Sequence, residues 1–147
     1  MKTSGEKEKT ERQGTKMENY TTRILIVDDD ARNVKVLEAM LLAEGHATLA
    51  ANSGKRALQV ATTEIPDLIL LDVMMPDMNG FEVVEKLKGH AATQDIPIIM
   101  ITALDDRESR LYALQAGADE FISKPVDRTE LLVRVKSILA LHQDRRQ

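Results

Sequence analysis

Residues suited to a highly charged ligand stand just past the ends of four short apolar runs. Ile24, Leu25, Ile26 and Val27 lead into Asp28, Asp29 and Asp30, and Leu68 to Leu71 lead into Asp72. Ile98 to Ile101 end at Thr102, and Phe121, Ile122 and Ser123 end at Lys124 and Pro125. If the first and third runs are neighbours, Asp28, Asp29 and Asp72 crowd together, and like charges that close do not all stay ionised without compensation. Either one pKa rises strongly or a divalent cation neutralises the group. Oxygen ligands with no His or Cys nearby point to a hard cation such as Mg²⁺, which takes one or two carboxylates and leaves room for a phosphate. The Lys124 ammonium and the Thr102 hydroxyl can then hold the oxygens of a transferring phosphoryl group, since that chemistry is mostly positioning and charge stabilisation. A carboxylate nucleophile would give an aspartyl phosphate.

The elements that must position these residues follow from pattern. Apolar, β-branched runs of this length read as buried parallel strands, and open α/β sheets bind ligands outside the carboxyl ends of their strands. The predicted strands are 23–27, 46–50, 67–71, 96–101 and 118–122. Helical stretches lie between them. Asp30 is placed to cap the first, where Val34, Leu37 and Leu41 share a face, and Ser53 to cap the second, 53–63. A third spans 80–88 and a fourth 105–116, closed by Gly117. The last starts at Asp127 with Glu130 three residues on, a capping-box pattern, and buries Leu131, Val135 and Ile138. Strict strand–helix alternation implies a doubly wound α/β domain with a parallel sheet and right-handed crossovers.

Composition narrows the function. The chain has 147 residues, suited to one domain, with 43% apolar and 30% charged residues. It has no cysteine, which removes disulfides, cysteine-ligated zinc and thiol catalysis. A net charge of −4 and only four aromatics (Tyr20, Phe81, Tyr112, Phe121) argue against direct nucleic-acid binding. No apolar run approaches the roughly 18 residues of a membrane span, and the polar start has no secretory h-region. The expected location is the cytoplasm. Residues 1–20 alternate Lys and Glu without apolar periodicity and read as a disordered tail, with Met17 an alternative start. The folded domain is expected over 21–142, with 143–147 a short C-terminal tail.

Segments 24–30 (ILIVDDD), 67–80 (DLILLDVMMPDMNG), 101–103 (ITA) and 117–125 (GADEFISKP) together resemble the receiver domain of bacterial two-component response regulators. The resemblance covers residues 23–141, with the motifs in family order and spacing. It implies a flavodoxin-like five-stranded sheet of order 2-1-3-4-5 with five helices. Carried over residue by residue, Asp72 is the phosphoacceptor. Asp29 and Asp72 bind Mg²⁺ directly, Asp28 largely through water, and the Met74 backbone carbonyl supplies the remaining protein ligand. Thr102 and Lys124 contact phosphoryl oxygens, Phe121 is the aromatic switch partner of Thr102, and the Lys124–Pro125 peptide is cis. The implied partners are a sensor histidine kinase or phosphotransfer protein, met around Asn33 and Leu37, and a downstream effector protein, met near Arg110 and Leu114. A dimer formed on phosphorylation belongs to the same repertoire.

Met74 and Leu104, two residues past Asp72 and Thr102, are apolar where the family lines the path of the hydrolytic water. Neither can orient that water, so a slowly reset phosphoryl state is expected. Taken singly, Asp72 reads as a turn residue, Lys124 as a solvated lysine and Thr102 as a strand-end hydroxyl; their joint placement carries the assignment. Asp77, Asn79 and Gly80 read as turn chemistry beside Pro76. His46, His90 and His142 are scattered and receive no role. Two other readings stand beside the regulatory one. A haloacid-dehalogenase-type phosphatase would use the Asp28–Asp30 spacing, but Arg32 replaces that family's Thr or Val and no acidic pair follows Lys124. A receiver cut from a multidomain regulator, with a cyclic-di-nucleotide enzyme or kinase output, would share the same wording around 124–132.

Overall fold

The computed structural model describes residues 20–104 and 106–146. Of the tail expected over residues 1–20, residues 1–19 lie outside the described residues. Five strands and five helices alternate: β1 (Arg23–Val27), α1 (Ala31–Leu42), β2 (Ala47–Ala51), α2 (Gly54–Glu64), β3 (Leu68–Leu71), α3 (Gly80–Lys88), β4 (Ile98–Thr102), α4 (Arg107–Ala116), β5 (Glu120–Ser123) and α5 (Arg128–Arg146). The strands form one parallel sheet in the order β2-β1-β3-β4-β5. The expected boundaries hold within two residues at every strand.

The continuous apolar runs are explained by what each strand faces. Successive side chains on a strand point to opposite faces, and both faces are covered. Ile24, Ile26, Leu68, Leu70, Ile99 and Ile101 pack under α1 and α5 with Leu37, Leu41, Leu131 and Val135. Leu25, Val27, Ile69, Leu71, Ile98 and Met100 pack under α2, α3 and α4 with Ala57, Val60, Val84, Leu87 and Ala113. A polar residue in these runs would be buried on one side or the other, so none is tolerated until the strand ends.

Short polar side chains start each helix. Asp30, Ser53, Asn79 and Asp106 accept the N–H groups of Arg32, Arg56, Glu82 and Ser109. Asn79 and Glu82 complete a reciprocal capping box. Asp127 accepts the Glu130 N–H at 2.8 Å at the start of α5. α4 ends at Gly117 with φ of 115°, a left-handed conformation that favours glycine. Its start differs from expectation: Arg107 follows the Asp106 cap, and Asp105 lies outside the described residues. α5 continues to Arg146, past residue 142, at which the sequence pattern ended the domain.

Register fixes which strand ends meet. β1 and β3 pair from Ile24 with Leu68 to Val27 with Leu71, so Asp28 and Asp72 leave the sheet side by side. β4 and β5 pair Thr102 with Ser123, which sets Lys124 next to Thr102. Among the described residues no helix is long and apolar enough to cross a membrane.

The central strand is the part least able to relax around a void. Leu70→Ala on β3 is expected to lower unfolding free energy by about 2–5 kcal/mol in urea titration. Val133→Ala, on the exposed face of α5, should stay within about 0.5 kcal/mol of wild type.

Candidate functional site

The carboxyl edge of the sheet gathers the predicted residues. Asp28, Asp29 and Asp72 each offer an oxygen, and the three oxygens lie within 4.8 Å of one another. Asp28 and Asp72 are buried, at 3% and 7% exposure, while Asp29 faces solvent. Lys124 places Nζ 3.4 Å from Asp28 Oδ2 and 3.5 Å from Asp72 Oδ2. One ammonium thus serves two buried carboxylates, with a third beside them. Thr102 is fully buried; its carbonyl accepts the Lys124 N–H at 2.8 Å, which ties the lysine to β4. Its hydroxyl accepts the Leu104 N–H at 3.3 Å.

Backbone and side-chain donors share out the remaining negative charge. Asp28 accepts the Asp30 N–H at 2.9 Å and the Asn33 amide at 3.1 Å. Beside Lys124, Asp72 accepts a long bond, 3.4 Å, from the Met74 N–H. Burial pushes the Asp72 carboxyl above the ordinary carboxylate range; the nearby Lys124 opposes this and the Asp28 charge reinforces it. The donor set of three carboxylates without nitrogen or sulfur suits a hard divalent cation. The acidic excess over one ammonium supplies the electrostatic demand for such an ion.

The structure brings together Asp28, Asp29, Asp72 and Lys124, with Thr102 on the adjoining strand. Met74 lies two residues past Asp72 in the loop and is 61% exposed. Phe121 is half-buried, paired in register with Met100 and packed on the α2–α4 side of the core. The Lys124–Pro125 peptide is cis, as expected. Two features escaped the sequence reading. Asn33, placed only on a partner-binding face, also orients Asp28. Gly80 does more than turn the chain: a Cβ there would lie 2.5 Å from the Asp72 carbonyl oxygen and 2.8 Å from Val73 Cα. Only glycine lets α3 start against the backbone of the buried acid. Both contacts join residues close in sequence, but each depends on how the intervening loop turns, which residue type alone does not fix.

Residues 24–136 match the response regulator receiver domain. The chain is 48% identical over 118 residues to response regulator PleD of Caulobacter vibrioides, which covers 80% of this chain and 26% of that protein. It is 38% identical over 118 residues to protein PilH of Pseudomonas aeruginosa, covering 80% of this chain and 98% of PilH. Among solved structures, a CheY-like response regulator receiver domain protein from Methanospirillum hungatei superposes with a TM-score of 0.79 at 33% identity, over 86% of this chain and 99% of the other. A response regulator from Chloroflexus aurantiacus gives the same TM-score at 36% identity, over 82% and 99%. The chain spans about a quarter of PleD and nearly all of PilH. The sheet order, the acidic edge with its lysine and the match over most of the chain agree: this protein belongs to the response regulator receiver domain family of two-component systems.

Proposed function

We propose that the domain over residues 21–142 accepts a phosphoryl group on Asp72 from a sensor histidine kinase or phosphotransfer protein, in the cytoplasm, and signals to an effector protein through altered contacts. The observation that carries this reading is the buried Asp72 carboxylate, which shares the Lys124 ammonium with Asp28 at the β1–β3 edge. An Asp72 oxygen attacks phosphorus, the bond from phosphorus to the donor's imidazole nitrogen breaks, and the imidazole leaves with the electron pair. Asp28, Asp29, Asp72 and the Met74 carbonyl would hold Mg²⁺, Asp28 largely through water. When bound, that ion neutralises phosphoryl oxygens and relieves the carboxylate crowding.

The chain's own residues do the rest. Lys124 pairs with one phosphoryl oxygen and the Thr102 hydroxyl donates to another, giving up its contact with the Leu104 N–H. Phe121 turns inward as Thr102 moves, so the phosphoryl charge biases a two-state element. The donor docks on an apolar groove beside the site, formed by Val36, Leu37 and Met40 of α1 with Pro125 and Val126. Arg110 and Leu114 on α4 border the surface read by the effector, and a phosphorylation-dependent dimer would use the same redistribution of contacts. The domain is a regulatory switch rather than a turnover enzyme. Met74 and Leu104 offer no strong hydrogen-bonding side chain to a hydrolytic water, so the acyl phosphate is long-lived.

Incubation with acetyl phosphate and Mg²⁺, read by intact mass, should add one phosphoryl group to wild type and none to Asp72→Asn. Absence of an adduct under all conditions overturns the assignment. The wild-type adduct should persist for minutes or longer after the donor is removed; decay within seconds defeats the slow-reset reading.

The raised pKa of Asp72 makes a separate prediction in metal-free buffer. A folded-state pKa above the unfolded value means the native protein binds the extra proton, so this group's contribution to stability falls as pH rises between the two values. Asp72→Asn, which carries no charge at any pH, should therefore melt at a higher temperature than wild type at neutral pH. The gap should narrow in mildly acidic buffer, and a melting temperature below wild type at neutral pH would contradict it.

A further inference from the structure

Asp77 lies exposed in the β3–α3 loop, five residues past Asp72, where the sequence pattern reads it as turn chemistry. Its carboxylate instead reaches across to another element. Oδ1 accepts the Gly54 N–H and Oδ2 accepts the Lys55 N–H, both at 3.0 Å. These are the first two residues of α2, whose leading N–H groups have no partner within the helix. Ser53 already caps α2 through Arg56, so Asp77 is a second cap supplied from a distant loop. The approach is close: a Cβ on Gly54 would fall 2.7 Å from Met78 Cγ. The Lys55 and Gly54 N–H groups hold the Asp77 carboxyl below the ordinary carboxylate range, so it remains an anion in neutral solution.

This contact closes a ring around the acidic site. Asp72 donates its N–H to Val27 at 3.0 Å, and Asp28, next in the chain, donates to Ala51 at 3.2 Å. Ala51 ends β2 and runs through Asn52 and Ser53 into α2, where Asp77 takes over and returns the ring to the loop carrying Met74. At its base the loop is fastened by the Gly80 N–H to the Val73 carbonyl at 2.8 Å. Every other hydrogen bond named in the ring joins backbone to backbone; Asp77 is the link made by a side chain.

We infer that Asp77 is a positioning residue: by clamping the β3–α3 loop to the N-terminus of α2 it sets the placement of the Met74 carbonyl relative to Asp28 and Asp72, and so tunes divalent-cation affinity. The inference rests on the reading that this loop forms one wall of a Mg²⁺ site. Asp77 touches neither ion nor phosphoryl group. Its removal frees the loop between Asp72 and Gly80 and leaves the three carboxylates in place.

The test is calorimetric titration of Mg²⁺ into the full chain, its D77A variant and its D77N variant, with acetyl-phosphate labelling rates measured over the same Mg²⁺ range. D77A should bind Mg²⁺ about tenfold more weakly, the low end of what loss of an orienting contact costs a metal site. Its labelling rate should approach that of wild type once Mg²⁺ is saturating. D77N retains one acceptor oxygen and should fall between the two. If D77A does not fold, D77N decides by the same criterion. Equal affinities in wild type and variant, with only a lower melting temperature, would reduce Asp77 to a helix cap and overturn this inference alone. A wild type that binds no Mg²⁺ would overturn the metal-site reading and this inference together.

Discussion

Two buried carboxylates share one ammonium at the edge of the sheet, and much of the molecule is arranged around that imbalance. Removing a charge from water is unfavourable unless it is paired and hydrogen-bonded. Asp28 is provided for by the Asp30 N–H, the Asn33 amide and Lys124. Asp72 has Lys124 and one long bond from the Met74 N–H, and its carboxyl is correspondingly pushed up. The less satisfied of the two acids is the one best placed to gain from a cation or a transferred phosphoryl group. The position also explains why the charges sit at the strand ends. A few residues deeper, the same side chains would be enclosed on both faces by aliphatic groups.

The rigid part of the protein lies beneath that edge. Side chains of β1, β3 and β4 alternate between two aliphatic layers, one under α1 and α5 and the other under α2, α3 and α4. Because the two layers are packed on opposite faces of the same strands, a shift of any one strand would have to move both. The loops above are short and fastened by hydrogen bonds at defined points, among them Gly80 to Val73 and Asp28 to Ala51. Gly80 shows how tight the fit is, since the start of α3 rests directly on the Asp72 backbone.

By contrast α4 is loosely held. Its one buried residue is Ala113, while Leu111, Tyr112 and Leu114 are about half exposed. Tyr112 stacks on Phe81 of α3 with ring centroids 4.6 Å apart, a contact at the surface rather than in the core. Elements with little apolar burial open at low free energy, so the helix next to Thr102 and Phe121 is the one whose repositioning costs least. A site that is stiff on the α1 side and soft on the α4 side suits a domain that must hold its ligands and still transmit their presence.

Strand runs, the first helix caps and the polar residues gathered at the strand ends were legible in the sequence because each depends on local chemistry. An aliphatic run of four or five residues has to be buried on both faces; Asp30 and Ser53 cap because their short side chains reach the next turn, whereas Asn79, read as turn chemistry, proves to be a cap as well; and the placement of Asp28, Asp72, Thr102 and Lys124 follows from where their strands end. The strand order came with the family resemblance rather than from periodicity, which cannot say which strands are neighbours. Folding decided contacts that residue type and spacing leave open. Asp77 passes for an ordinary turn residue until α2, more than twenty residues back, lies beneath it; Asn33 passes for a helix-surface amide until the β1–α1 turn sets it on Asp28, and Gly80 for loop flexibility until the loop folds its backbone onto Asp72. Side-chain type limits which bonds a residue can make; the packing of sheet and helices chose which of them it does.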